Sequence, residues 1–244
     1  MVNFMILIIL HLLGDFYLQT NKIAKYKNGN IGDSCTGCIK CKRDSAFNNK
    51  FLLFHGLLYM IPFAFLFYIT HWLSAIIIAL IIFLSHYFID MGSCYLNKKC
   101  KKTLVFLLDQ FVHLMVLFMV YQLFDFNTNM HEYIFIIKMA IIILLLIMPS
   151  SVIINKLFED VFSKTNEVGI FDVGSIIGVL ERGLVLIFSC FGDFAAIAII
   201  ITVKTWARSN DLKNDDDRFR DKYLLGTLAS LVLALLISLI YSVL

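Results

Sequence analysis

Charge is scarce in this sequence. Only 16% of its 244 residues are Asp, Glu, Lys or Arg, against about a quarter in a soluble domain. Proline is scarcer, with 2 in the chain, and no true linker divides one part from another. No internal repeat appears, which removes the signature of inverted-repeat transporters. The first apolar run starts at Met1 without a basic leading segment or a small-residue cleavage site, and it contains Asp15; a retained helix is expected there, not a removable signal peptide. Nothing marks a Ser or Cys as a nucleophile. The net charge of +3 is unremarkable, and no nucleic-acid partner is expected.

What the chain has in excess is apolar length. Hydrophobic residues make up 60% of it, and the mean hydropathy is +0.83. They fall in runs of Leu, Ile, Val, Phe and Ala long enough to cross a hydrocarbon core, which takes about 20 helical residues. The pattern predicts an all-α, polytopic transmembrane bundle of about eight helices, near 2–20, 51–69, 73–91, 103–124, 133–153, 170–191, 194–208 and 222–243. An N-terminal four-helix half, 1–124, would carry a cytosolic loop over 22–50, and a C-terminal helical half would follow over 125–244. Residues 157–167 read as an amphipathic surface helix, and the acidic run 215–217 as a solvated turn.

Lys and Arg set the orientation. With both termini outside, the inner loops collect Lys22, Lys25, Lys27, Lys40, Lys42, Arg43, Lys50, Lys98, Lys99, Lys101, Lys102, Lys156, Lys164, Arg208, Lys213, Arg218, Arg220 and Lys222. The outer turns, 70–72, 125–132 and 192–193, hold none, as the positive-inside rule demands. The seventh helix is short, and 170–208 has the alternative of a re-entrant hairpin.

Ionisable groups in a bilayer are costly, so each is a functional candidate. Three helices each carry a His and an Asp four residues apart, on one face: His11 with Asp15, His86 with Asp90, and Asp109 with His113. Gln19 and Gln110 accompany them, and the second helix adds His55. Counting about 1.5 Å per residue from the basic boundary brings His11, Asp15, His55, His86, Asp109 and His113 into one layer roughly 8–15 Å deep, with Asp90 shallower. The order reverses with helix direction, His before Asp going in and Asp before His coming out. Imidazole with carboxylate suits a divalent transition metal, Zn, Mn, Fe or Ni. The three pairs would hold it, with His55 to spare and Gln19 and Gln110 orienting the ligands by hydrogen bonds. A His–Asp network that merely glues helices is the simpler reading, but glue needs one or two polar groups and not seven. A proton relay is a third.

In the C-terminal half Glu181 and Arg182 sit mid-span and point about 100° apart, with Lys138, Lys204 and Thr227 as candidate partners. A structural ion pair between helices is favoured there over a substrate site. Cys35, Cys38 and Cys41 fall in the first inner loop, and Cys94 and Cys100 in the second. The reducing cytosol argues against disulfides, and Cys94 or Cys100 would complete a tetrahedral zinc site. A ferredoxin-type cluster would need a fourth Cys followed by Pro, and Lys42 follows Cys41.

His11-Leu-Leu-Gly-Asp15-Phe-x2-Gln19, His55, His86-x2-Ile89-Asp90 and Asp109-Gln110-x2-His113 together resemble the bacterial membrane family catalogued as domain of unknown function 3307 (DUF3307). Leu180-Glu181-Arg182, Ala196-Ile197, Lys204 with Arg208, and Tyr223-x2-Gly226-Thr227-Leu228 resemble the C-terminal part that accompanies this domain. Lys222 stands where an acidic residue is expected and Ala198 where a Gly is; the Cys-bearing insert is peculiar to this chain. The resemblance implies a multi-pass protein of the bacterial cytoplasmic membrane and supplies no activity. A looser similarity to bacterial inner-membrane metal-dependent hydrolases points towards an enzyme.

Three functions remain open on this reading. The first is a membrane metal-dependent hydrolase or transferase acting on a lipid-linked or anionic substrate at the inner leaflet, with basic rims to attract it. The second is a divalent-cation or proton transporter or channel. The third is a regulatory scaffold whose cysteine loop senses metal or redox state.

Overall fold

The computed structural model describes residues 1–19, 50–97, 99–126, 130–162, 173–209 and 217–243. Helices account for nearly all of them, and no strand occurs among the described residues. Helix α1, Val2–Leu12, continues as one π-helical turn, Leu13–Tyr17. α2 covers Lys50–Phe63 and α3 Leu66–Ile69; α4 is Trp72–Leu96 and α5 Lys102–Leu123. A short 3₁₀ turn leads into α6, Ile134–Phe162, followed by α7 (Val173–Cys190), α8 (Phe194–Ala207) and α9 (Asp217–Val243).

These helices follow the eight apolar stretches with altered ends. Five spans are long and apolar enough to cross a membrane, Leu52–Ile69, Trp72–Leu96, Lys102–Leu123, Met130–Phe162 and Phe219–Val243, and Val2–Tyr17 and Phe194–Ala207 are shorter apolar helices. α6 runs on to Phe162, so the surface helix expected from 157 is, as far as 162, a continuation of that span. Asp217 likewise opens α9, where a solvated turn was expected, while residues 215 and 216 lie outside the described residues. α2 and α3 are one span with an irregular joint. Pro62 has no N–H for the helical ladder, and the chain passes through i→i+3 bonds at Ala64 and Phe65 before α3 resumes.

The chain divides into two compact units, Met1–Ile141 and Ile142–Leu244, with the boundary inside α6. In the first, four helices close into a ring: α1 packs on α2 and α5, α2 on α4, and α4 on α5. α1 and α5 run antiparallel, the Met1 amine bonding the Tyr121 hydroxyl at 2.9 Å and His11 meeting Gln110. Burial follows one stripe per helix, Ala75, Ile78, Ile82, His86, Asp90 and Cys94 on α4, and Val105, Asp109, His113, Leu117 and Val120 on α5. The polar residues thus occupy the core stripe, whereas Leu107, Leu108, Phe111 and Met115 face outward. That distribution inverts the water-soluble one and suits a hydrocarbon surround.

In the second unit α7 packs on α8 and α9, and Ile142 and Leu146 of α6 join Ile237 of α9 in its core. Gly192, at φ +72°, makes the tight α7–α8 turn, and the Asp193 side chain caps α8 by accepting from the Ala196 N–H at 3.1 Å.

Gly14 holds α1 against α2. A methyl group there would lie 2.7 Å from both the Tyr59 carbonyl oxygen and ring, and backbone cannot yield as a side chain can. Gly14→Ala should therefore cost about 1–3 kcal/mol and lower the melting temperature in detergent. Gly92→Ala is the control, because a Cβ on Gly92 meets open space and should not destabilise the chain.

Candidate metal centre

The core stripes of α4 and α5 are apolar at one end of the ring and polar at the other, so the ionisable groups collect beside the α4–α5 turn. His11, Asp15, His55, His86, Asp90, Asp109 and His113 are all buried there. The seven divide into a centre and a surrounding frame. One ligand atom from each of Asp15, His55, His86 and Asp90 falls within 4.8 Å of the other three.

His55 is the hub. Its Nε2 lies 3.2 Å from Asp15 Oδ1, 3.5 Å from Asp90 Oδ2 and 3.2 Å from His86 Nε2, and His86 Nε2 lies 3.3 Å from Asp90 Oδ2. In a tetrahedral site with metal–ligand bonds of 2.0–2.1 Å, adjacent ligands stand about 3.3 Å apart. Four of the six separations match that edge, so the residues fit a divalent transition metal and could hold one. The sequence reading counts His55 as a spare ligand; in the fold α2 lies between α1 and α4 and carries His55 within reach of both Asp15 and Asp90.

The frame fixes which nitrogens bear protons. His113 Nδ1 is 2.9 Å from the Asp109 backbone carbonyl, which can only accept. Neutral His113 thus carries its proton on Nδ1 and presents a lone pair at Nε2. His86 Nδ1, 2.7 Å away, must donate to it, and His86 Nε2 is left with a lone pair facing the centre. Lone pairs of two ionised carboxylates and an imidazole then converge on His55 Nε2, which itself can offer one proton at most. A cation relieves that opposition.

His11, Asp109 and His113, expected among the ligands, lie in the surrounding frame, outside the group of four. Both ring nitrogens of His11 are engaged, Nδ1 by the Tyr59 hydroxyl at 3.0 Å and Nε2 by Gln110 Oε1 at 3.2 Å. Asp109 accepts from Ser93 Oγ and from Gln110 Nε2, the latter at 3.1 Å. Gln110 also donates to Asp15 Oδ2 at 2.8 Å and so ties α1 to α5, an orienting role as expected. Gln19 lies beyond the π-turn and is only partly buried. The π-turn itself carries Asp15, and such turns recur at functional sites.

Two contributors escaped the sequence reading. The Tyr59 ring stacks on His86 with centroids 3.6 Å apart and planes within 5°, while its hydroxyl seats His11. Its spacing of four from His55 was the available signal. Ser93, three residues beyond Asp90, offered a weaker one.

Of the other candidates, Glu181 pairs with Lys204 between α7 and α8, and Arg182 bonds Leu146 O at 3.1 Å and Ser151 Oγ at 2.8 Å. The structural ion pair expected between helices is thus the one that Glu181 makes with Lys204, while Arg182 is held by a backbone carbonyl and a serine hydroxyl. Thr227 lines a cavity beside them, and Lys138 belongs to the first unit. Cys94 is buried on α4 one turn past Asp90 and Cys100 is exposed; Cys35, Cys38 and Cys41 lie outside the described residues.

Purified protein should carry close to one divalent transition metal per chain by elemental mass spectrometry. His86→Ala and Asp90→Asn should each lose it, and Cys35→Ser/Cys38→Ser/Cys41→Ser should keep it. His113→Ala, which removes the orienting bond to His86 and leaves the four candidate ligands in place, should bind about 10–100-fold more weakly in a chelator competition. Wild type purified without chelator and still free of metal would leave a hydrogen-bonded network in place of a metal centre.

A family model described as a protein of unknown function (DUF3307) matches residues 3–36 and 35–143, a stretch that contains every residue of this centre. No curated protein and no solved structure matches the chain.

Proposed function

Since the chain belongs to the DUF3307 family, whose description names no activity, we propose from the site alone that it is a metal-dependent membrane hydrolase or transferase acting on a lipid or lipid-linked substrate. The convergence of Asp15, His55, His86 and Asp90 carries the reading. A divalent metal there would supply Lewis acidity and a water acidic enough to attack an ester or phosphoester.

Three protein ligands with one open position is the usual catalytic arrangement, against four in a closed structural site. His55, His86 and Asp90 make up the three. Asp15 is the carboxylate best placed to be spared, since it sits on the π-turn and Gln110 already holds its Oδ2 at 2.8 Å. Its Oδ1 then serves as the general base. The less buried side of the site is formed by Ser93, Asp109 and Gln110. Lys99, Lys101 and Lys102 follow in the adjoining turn, where they would draw in an anionic headgroup.

The contacts running from His113 to His86 to His55, at 2.7 and 3.2 Å, favour a second reading, a path for protons or a cation. Against it, the buried stripe of α4 beyond His86 is Ile82, Ile78 and Ala75, which gives a charge no onward step on that helix.

Asp15→Asn separates the readings. It should retain metal while losing about 10²–10⁴-fold in hydrolysis of a phospholipid panel, followed as released phosphate or fatty acid. Metal or proton flux in proteoliposomes, without hydrolysis by metal-loaded wild type, would overturn the enzyme reading in favour of transport.

A further inference from the structure

Arg182 presents a separate problem, in the unit that lacks the His/Asp centre. It is 3% exposed, on a helix with Leu180 and Leu184 facing outward on either side. Such a cation requires an anion or a strong set of acceptors. Among the described residues the set it has is neutral. Pro149 has no N–H to offer the Leu145 carbonyl, and the Ser150 hydroxyl takes that place at 2.7 Å. The next carbonyl, Leu146, accepts from Arg182 Nε, and Ser151 Oγ accepts from Nη2. A guanidinium has five N–H donors, so these two bonds orient the fork and leave most of it unused. Nη1 lies over Gly178, where even a Cβ would come within 3.3 Å. The nearest acid in sequence, Glu181, is bound to Lys204.

Arg182 also lines a cavity of about 1010 Å³ between α6, α7, α8 and α9, wholly within the second unit. Among the described lining residues, Lys204, Arg208 and Lys222 add three further cations, and Glu181 is the single carboxylate. Arg208 is exposed at one end and Arg182 is the most deeply buried of the four. The rest of the wall is largely apolar, including Phe158, Ile177, Ile199 and Val203. Gly226 keeps it open, since a Cβ there would lie 2.9 Å from Phe158 Cζ. An excess of positive charge with one cation buried, joined to an apolar trough, matches a ligand that has a charged head and a greasy tail.

We propose that this cavity binds an anionic amphiphile with a phosphate head, the head meeting Arg182 and Lys222 and the tail lying along Phe158, Ile177 and Ile199. The guanidinium fork gives the head a bidentate partner, which a phosphate oxygen pair satisfies and a choline-masked headgroup satisfies less well. This site does not depend on the metal-centre reading.

The test is thermal melting of the full chain in a neutral detergent, with dioctanoyl phosphatidic acid, dioctanoyl phosphatidylcholine or inorganic phosphate added at fixed ionic strength. Phosphatidic acid should raise the melting temperature saturably, and the other two should raise it little. Arg182→Gln should weaken that binding at least tenfold, as loss of a charge-assisted hydrogen bond implies. Because Arg182→Gln removes two buried bonds and risks misfolding, Arg208→Gln/Lys222→Gln, altered where the side chains reach solvent, serves beside it and should also weaken binding about tenfold. His86→Ala should bind phosphatidic acid as wild type does. Equal stabilisation by phosphatidylcholine would overturn the anionic head, and equal stabilisation by inorganic phosphate would overturn the tail. Unchanged affinity in the two basic-residue variants would overturn the site.

Discussion

The hydrogen bond from His113 to the Asp109 carbonyl is the constraint from which the orientation of the buried centre follows. A carbonyl oxygen cannot donate, so the direction of that bond is fixed, and for a neutral His113 ring so is the direction of the next one to His86. The effect reaches His86 Nε2, which arrives at the centre with a lone pair and not a proton. Gln110 acts in the same way on the other flank. Its amide faces two carboxylates with its N–H₂ and His11 with its oxygen, so every polar atom on that flank has one permitted role.

Much of this was legible in the sequence because a bilayer simplifies the code. Apolar runs of spanning length, interrupted by basic turns, gave the helices, since lipid permits hardly any other backbone there. The ends were less legible. The carry-over of α6 to Phe162 crosses Asn155, Lys156, Glu159 and Asp160, which hydropathy reads as the end of a span although a helix continues through polar residues without difficulty. The π-turn at 13–17 was invisible because no residue type encodes it; it follows from the demand that Asp15 meet His55 while Gly14 touches Tyr59.

The site was legible as a layer and not as a coordination set. A spacing of four places His and Asp on one face, but it does not say which ring a neighbouring helix will occupy. In α4 the pair stays together at 3.3 Å; in α1 the same spacing is parted because Tyr59 and Gln110 claim both nitrogens of His11. Those claims come from other helices and have no local trace. Arg182 shows the same limit from another side. The sequence flagged it as needing a partner on another helix, and its actual partners, the Leu146 carbonyl and the Ser151 hydroxyl, are groups no charge count would nominate.

The tight turn at Gly192 bears on how the protein is made. α7 carries Glu181 and Arg182 at mid-length, and a charged residue at the centre of a lone helix resists insertion by about 2.5–3.5 kcal/mol. Lys204, which neutralises Glu181, arrives only after the turn, on α8. The acceptors for Arg182 are already in place on α6, synthesised earlier. A translocon handling α7 by itself meets an unfavourable segment, whereas α7 and α8 folded back on each other present a neutral pair and one cation with a docking site waiting. The turn at Gly192 thus puts the Glu181 charge and the Lys204 that neutralises it into one hairpin.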